Sequence, residues 1–338
     1  MQETQEQRQM QFYMAPMEGL TGYVFRNAHA RFFGKLDKYF TPFIAGSGLS
    51  HRELHDVLPE HNRDLPVVPQ IMTNRAADFL AVAKRLEEFG YREVNLNLGC
   101  PSGTVVSKGR GAGFLKDPEA LERFFEAIYD ACPLRISVKT RIGVSDAEEW
   151  ERIRAIYARF PVEELIIHPR LQKDFYKGPI RWDAFARAVS CFNDNRDCNG
   201  FKGCDDFKKT PLCYNGDVHS VAAYRQLREQ YPQVDRVMLG RGILMDPFLV
   251  QHCQSGESDY ALERLRDMLQ TLLQEYRREM GNDTHTLYKM KEIWTYLGLR
   301  IADNGTKALK KIKKARTLEE YRIGAAEALR AWEETCAE

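Results

Sequence analysis

Short apolar or β-branched runs recur along the first three quarters of the chain, at Tyr13–Met17, Tyr39–Ile44, Val67–Met72, Glu93–Gly99, Arg135–Arg141, Glu164–Pro169, Pro211–Asp217 and Arg236–Gly242. Between them apolar positions return with a helical period, most clearly over Ala76–Phe89, Pro118–Ala131, Ala147–Phe160 and Val221–Tyr231. The short bounded runs predict strands, and the longer periodic segments predict helices. Eight strand-helix units within about 240 residues meet the requirement of a (β/α)8 barrel, whereas a doubly wound sheet usually stops at about five or six strands. After Ile243 the pattern changes to long helical stretches without strand signals, such as Tyr260–Arg278 and Thr317–Thr335. The expected fold is therefore α/β: a TIM barrel over residues 1–248 and a C-terminal all-helical domain over 249–338. A stretch of mixed character, Cys191–Cys213, is expected to interrupt the barrel as an insertion before the seventh strand (191–213).

The 338-residue length suits one large domain with a small one, and 43% hydrophobic residues suffice for a sizeable core. No run of about 18 apolar residues appears, and the polar start MQETQEQRQMQ lacks the order of a secretory signal, so a cytoplasmic protein without membrane attachment is expected. The net charge of +1, from 49 basic against 48 acidic residues, means that binding to nucleic acid would need local patches. Eight cysteines without a signal segment are expected to be reduced.

In a barrel of this kind the chemistry sits at the C-terminal ends of the strands. The fourth run ends in NLNLGCPSG, which places Asn97 and Cys100 at the mouth with Gly99 and Pro101 turning the chain around the thiol. Such a cysteine can be an acid, a nucleophile, a ligand or only a small hydrophobe. Lys139 in SVKTR closes the fifth run and His168 in LIIHPR the sixth. A lysine inside an apolar strand calls for an anion or an electron-rich ring, since lysine is rarely buried without a partner. The last two runs end in YNGD and LGRG, at Asn215–Asp217 and Gly240–Arg241. Glycine-bearing turns there commonly bind phosphate, and a lysine near the ring makes FMN a fitting cofactor.

The order of these motifs is similar to that of a known family. APMEGLTGYVFR, PQIM, NLNLGCPSG, GRGAGFLKDP, VKTRIG, IIHPR with FYKG, YNGD and LGRG follow one another along the chain. Together they resemble the tRNA-dihydrouridine synthases over nearly the full length. The resemblance implies cofactor contacts from Pro16, Met17, Glu18, Gln70, Lys139 and His168, with Asn215, Gly216, Asp217, Gly240 and Arg241 at the phosphate of FMN. It places Cys100 on the catalytic cysteine, and Asn97, Arg170 and Lys108 on the substrate side. The implied reaction is the FMN-dependent reduction of the C5–C6 double bond of uridines in tRNA, with NADPH as reductant and the neutral Cys100 thiol as general acid toward C5. The enzyme would belong to the oxidoreductases acting on a CH–CH group with NAD(P)H as donor, working as a monomer without an obligate protein partner.

The basic run KALKKIKKAR, with Lys307, Lys310, Lys311 and Lys314, reads in this context as a patch for the tRNA backbone. On its own such a run is more often a solvated helix face. Tyr288–Tyr296, with Lys289 and Lys291 around Trp294, also resembles the helical-domain signature of the family. The chain departs from the family at Asn95, where an acid is common, at Gly22, and at HPR in place of HGR. A metal is not expected. The gaps between Cys191, Cys198, Cys204 and Cys213 lack zinc-knuckle spacing, and the calcium-like order Asn195, Asp197, Asn199, Gly200, Asp206 lacks its flanking helices and final glutamate. Two other functions compete: a flavin reductase of a small molecule, which would not need the basic helices, and a tRNA-binding protein without catalysis, which would not need Cys100 and Lys139.

Overall fold

The computed structural model describes residues 9–194, 210–256 and 259–337. Nine short parallel strands run in the order β3-β2-β1-β9-β8-β7-β6-β5-β4. They are β1 (Gln11–Met14), β2 (Lys38–Phe40), β3 (Val67–Val68), β4 (Gln70–Ile71), β5 (Glu93–Leu98), β6 (Arg135–Arg141), β7 (Leu165–His168), β8 (Leu212–Tyr214) and β9 (Arg236–Leu239). The two ends of this order, β3 and β4, are separated in sequence by Pro69 alone, which has no N–H to give a ladder. The carbonyl of Val68 accepts from Thr41 N on one side, and that of Pro69 accepts from Asn95 N on the other. One stretch of chain thus pairs both ways, and eight strands close the barrel. All eight expected runs contain strands, and every pairing is parallel, as right-handed strand-helix-strand units require.

The period of two sorts the side chains into layers. Thr140 in β6 bonds Tyr157 of the helix Glu149–Tyr157 at 2.9 Å, so the even positions of β6 face the helices and Ser137, Lys139 and Arg141 face the interior. The same alternation yields three tiers inside the barrel. Tyr13, Ala15, Phe40, Val68, Ile166, Cys213 and Met238 form an apolar middle tier. Two residues earlier on their strands sit Lys38, Glu164 and Arg236, joined by Glu93 and Gln11. Two residues later on three of them come Gln70, His168 and Asn215, level with Asn97 and Lys139.

The early tier is a buried charge cluster that plugs the N-terminal end. Lys38 Nζ lies 3.0 Å from Glu93 and 3.1 Å from Glu164, Arg236 Nε lies 3.2 Å from Glu164, and the Tyr13 hydroxyl donates to Glu164 at 2.8 Å. Glu164 is almost fully buried and meets two cations at once.

The backbone separates into two compact units. The first comprises Met1–Pro16, Asp37–Gly216 and Gln230–Met238 and carries the sheet; the second comprises Met17–Leu36, Asp217–Glu229 and Leu239–Glu338. The second unit is helical. Leu262–Met280, Asp283–Leu297, Thr306–Lys314 and Leu318–Ala337 supply its long helices, and Tyr23–Phe33 packs with them. Arg264 Nε donates to Phe32 O at 2.8 Å, Phe33 meets Phe248 edge-on at 4.7 Å, and Trp294 Nε1 donates to the hydroxyl of Tyr321 at 3.0 Å.

The stretch expected as an insertion begins later than its first cysteine. Cys191 lies in the helix Trp182–Asp194, where Ala184, Phe185, Ala188, Val189 and Phe192 are buried with it at helical spacing, and Cys213 is a buried residue of β8. The apolar face of that helix carries the chain onward where composition alone suggested a loop. Cys198, Cys204 and the calcium-like residues Asn195, Asp197, Asn199, Gly200 and Asp206 lie outside the described residues. No helix among the described residues is long and apolar enough to cross a membrane.

The plug makes a direct prediction. Removing one partner of a buried charge cluster leaves the others uncompensated, so Glu164→Ala is expected to lose roughly 3–5 kcal/mol of unfolding free energy in urea titrations. A loss below about 1 kcal/mol would show that the plug contributes no stability.

Candidate active site at the barrel mouth

The upper tier is built on the pairing of β5 with β6, which sets Asn95 against Ser137 and Asn97 against Lys139. Asn95 and Gln70 are fully buried and Asn97 nearly so. Their side chains form one continuous series. Asn97 Oδ1 accepts the backbone N–H groups of Gly99 and Cys100, each at 3.0 Å. Asn97 Nδ2 then donates to Gln70 Oε1 at 2.7 Å, Gln70 Nε2 to Asn95 Oδ1 at 2.8 Å, and Asn95 Nδ2 to Ser137 Oγ at 3.0 Å.

The direction of this series is forced. Backbone N–H groups only donate, so the oxygen of Asn97 must face them and its nitrogen must face Gln70. That choice fixes Gln70, and Gln70 in turn fixes Asn95. Each amide is held in one orientation by a turn that lies four hydrogen bonds away from Ser137. The turn itself carries Cys100, half-buried just past the end of β5.

Two further contacts hold the cysteine turn. Arg141 Nε donates to Gly99 O at 2.9 Å, and Ala112 N donates to Cys100 O at 3.0 Å. Gly111 stands beside it with φ +54°, and a Cβ there would come within 2.9 Å of Cys100 O. The GRGAG segment therefore needs glycine at this position to close over the cysteine.

Lys139 faces the same interior. Among the described residues its ammonium has neither a carboxylate nor a hydrogen-bond partner. Burial pushes it down from 10.5 to about 8, and the neighbouring Arg141 pushes the same way. A folded value below the unfolded one means that the unfolded chain binds more protons between these limits. The lysine therefore costs stability below about pH 8, and that cost lifts as the pH rises toward 10.5.

Arg141 is fully buried and spent on backbone: besides Gly99 it donates to Leu171 O at 2.7 Å and Phe175 O at 2.6 Å. Its guanidinium lies 5.4 Å from the ring centre of Tyr176, and that ring stacks on His168 at 6.2 Å. Arg170 donates to Gly178 O at 2.6 Å and reaches His168 Nε2 at 3.2 Å. A guanidinium can only donate, so in this contact the acceptor is His168 Nε2.

The remaining positions divide between the units. In the first, Asn215 Nδ2 donates to Met238 O at 2.8 Å, and a Cβ on Gly216 would meet the Tyr214 hydroxyl at 2.1 Å. Pro16 is half-buried, and Lys108 is exposed, its carbonyl accepting from Asn74 at 3.1 Å. In the second, Asp217 and Arg241 form an ion pair at 2.5 Å, with Gly240 preceding Arg241. Met17 anchors a turn in which its carbonyl accepts from Leu20 N and Thr21 N, with Glu18 exposed. Lys289 donates to Gly19 O of that turn, and Lys291 to Ala315 O at 2.5 Å. Lys307, Lys310, Lys311 and Lys314 are all exposed on Thr306–Lys314, and Lys311 is paired with Glu327 at 2.6 Å.

The structure thus brings Gln70, Asn97, Cys100, Lys139, His168 and Arg170 to the upper tier or the loops that continue it. Sequence reasoning missed Ser137, Arg141 and Tyr176. A signal was present, since Ser137, Lys139 and Arg141 alternate in SVKTR and must share a face.

Residues 13–330 match the family described as Dihydrouridine synthase (Dus). A probable tRNA-dihydrouridine synthase of Staphylococcus epidermidis is 28% identical over 288 residues, covering 84% of each chain. A probable tRNA-dihydrouridine synthase 2 of Bacillus subtilis is 28% identical over 287 residues, again covering 84% of each. Among solved structures, morphinone reductase in complex with tetrahydroNAD superposes with a TM-score of 0.48 at 12% identity, over 74% of this chain and 88% of that one.

If Asn97 holds the cysteine turn, Asn97→Ala leaves two backbone N–H groups and the Gln70 amide without partners. The variant is expected to lose about 1–3 kcal/mol of stability and to show faster alkylation of Cys100 by iodoacetamide. Wild-type stability together with a wild-type alkylation rate would refute the anchoring role.

Proposed function

The chain belongs to the dihydrouridine synthase family, and from that membership we propose that it reduces the C5–C6 double bond of specific uridines in tRNA to dihydrouridine. The observation that carries the reading is an uncompensated ammonium on β6 beside a braced cysteine at the end of β5, both at the end of the barrel where such folds do their chemistry. The residues fit a flavin mononucleotide, because an ammonium without a partner is stabilised by an electron-rich ring bearing negative charge. FMN held there would supply hydride chemistry toward C6 of the uracil, with NADPH as its reductant.

This chain's residues do the rest. Lys139 keeps positive charge beside the ring, and Gln70 and His168, each fixed by its neighbours, present one polar face to it. Pro16, Met17 and Glu18 are assigned to the cofactor, and Asn215, Gly216, Asp217, Gly240 and Arg241 to its phosphate, on the family's motifs. Cys100, as the neutral thiol, gives its proton to C5 of the base, and the thiolate left behind is reprotonated from solvent. Uridine, NADPH and one proton thereby become dihydrouridine and NADP⁺. Asn97 and Arg170 lie on the substrate side and Lys108 near its backbone. The uridine must leave its stack to enter the mouth, which costs less in a loop than in a duplex.

In this reading residues 1–248 form the catalytic barrel and 249–338 the tRNA-binding helices, with Lys307, Lys310, Lys311 and Lys314 facing phosphates. The protein works in the cytoplasm as a monomer without an obligate protein partner.

The test is dihydrouridine mapped by position in unmodified tRNA incubated with the protein, FMN and NADPH. Wild-type protein is expected to form it, and Cys100→Ala to lower the rate by about 100-fold or more while FMN binding and NADPH oxidation persist. If no tRNA acquires dihydrouridine although NADPH is oxidised, the tRNA reading fails in favour of a small-molecule reductase.

A further inference from the structure

Tyr288 is 65% exposed on the helix Asp283–Leu297, although a tyrosine ring offers a large area to bury. Its helical neighbours three and four positions away are Thr284, His285, Lys291 and Glu292, all polar. On its own helix the ring is therefore an isolated aromatic and not part of an apolar stripe, which argues against a helix-packing protein partner.

Its surroundings are cationic. Lys291 Nζ lies 5.7 Å from the ring centre and donates to the carbonyl of Ala315 at 2.5 Å. Ala315 caps the C-terminal end of Thr306–Lys314. That helix buries Ala308 and Ile312, so Lys307, Lys310, Lys311, Lys313 and Lys314 all lie on its exposed side. Only Lys311 has a carboxylate partner among the described residues. One lysine thus links the tyrosine to the end of the basic helix where Lys313, Lys314 and Arg316 follow one another.

An exposed ring beside lysines of which, among the described residues, only Lys311 is paired with a carboxylate is the composition of a surface that stacks on a base while it neutralises phosphates. We propose that Tyr288 is a stacking platform for an unpaired base or ribose of the tRNA, with Lys313, Lys314 and Arg316 holding the adjoining phosphates. This inference rests on the tRNA reading above and adds an element that is insensitive to salt. Phosphate contacts weaken as salt rises, whereas stacking does not release counterions.

The test is tRNA affinity by fluorescence anisotropy across a series of salt concentrations, for wild type, Tyr288→Ala, Tyr288→Phe and Lys314→Ala. Tyr288→Ala is expected to weaken binding about tenfold at every salt concentration, leaving the slope of log K against log salt unchanged. Tyr288→Phe keeps the ring and is expected to bind within about twofold of wild type. Lys314→Ala lowers the slope by about one unit. At saturating tRNA the turnover of Tyr288→Ala equals that of wild type, so the effect appears in KM. Salt-dependent binding by wild type that Tyr288→Ala leaves intact overturns the platform alone; failure of wild type to bind tRNA overturns the platform and the tRNA reading together.

Discussion

The parallel register of β5 on β6 is the constraint on which the mouth depends. It sets Asn95 opposite Ser137 and Asn97 opposite Lys139, with all four side chains directed inward. Strand pairing has a side-chain period of two, so a slip of one residue would send the amides into the helical layer and put Val94, Leu96 and Leu98 in the lumen. The apolar alternates, each fully buried, oppose that slip. The hydrophobic pattern on the outer face of β5 thereby fixes the position of the polar groups on its inner face.

From that register the rest of the mouth follows by hydrogen bonding. The two N–H groups of the cysteine turn orient Asn97, and the orientation passes through Gln70 to Asn95 and Ser137. Asn95 meets its part of this geometric demand without charge. The amide accepts from Gln70 and uses its own nitrogen to reach Ser137. A carboxylate here would lie close to Lys139 and could partly offset its charge; the neutral amide leaves that charge to be met from the lumen. Below the apolar tier the opposite arrangement holds, with Lys38, Glu93, Glu164 and Arg236 satisfying one another. One end of the barrel is closed electrostatically and the other carries an unmet positive charge.

Much of this was legible in the sequence. The eight runs gave the barrel because strands of this length leave a clear apolar signature between periodic helices. Cys100, Lys139 and His168 stood out because thiol, ammonium and imidazole groups seldom end apolar strands without reason. Other features depended on relations that a run of letters does not carry. The split of the third strand at Pro69 is visible only when pairing on both sides is known. Arg141 was passed over in VKTRIG, yet three carbonyls from two different loops hold it in the interior. Cys191 looked like the start of a loop because polar residues follow it, whereas the helix that bears it is held by its apolar face. Tyr23–Phe33 follows the first strand in sequence but packs with C-terminal helices, a long-range contact that local periodicity could not foretell.

The central claim is that β6 holds a positive charge that waits for an anionic ring. The most direct measurement is the titration of Lys139 by NMR on protein carrying ¹³C at the lysine ε-carbon, before and after FMN is added, with Lys139→Met to assign the signal. The account predicts a midpoint of about 8 in the free protein and a rise of about one unit or more once the cofactor binds, because a neighbouring negative charge favours the ammonium. A midpoint at the ordinary lysine value in the free protein, or one that FMN leaves unmoved, would contradict it.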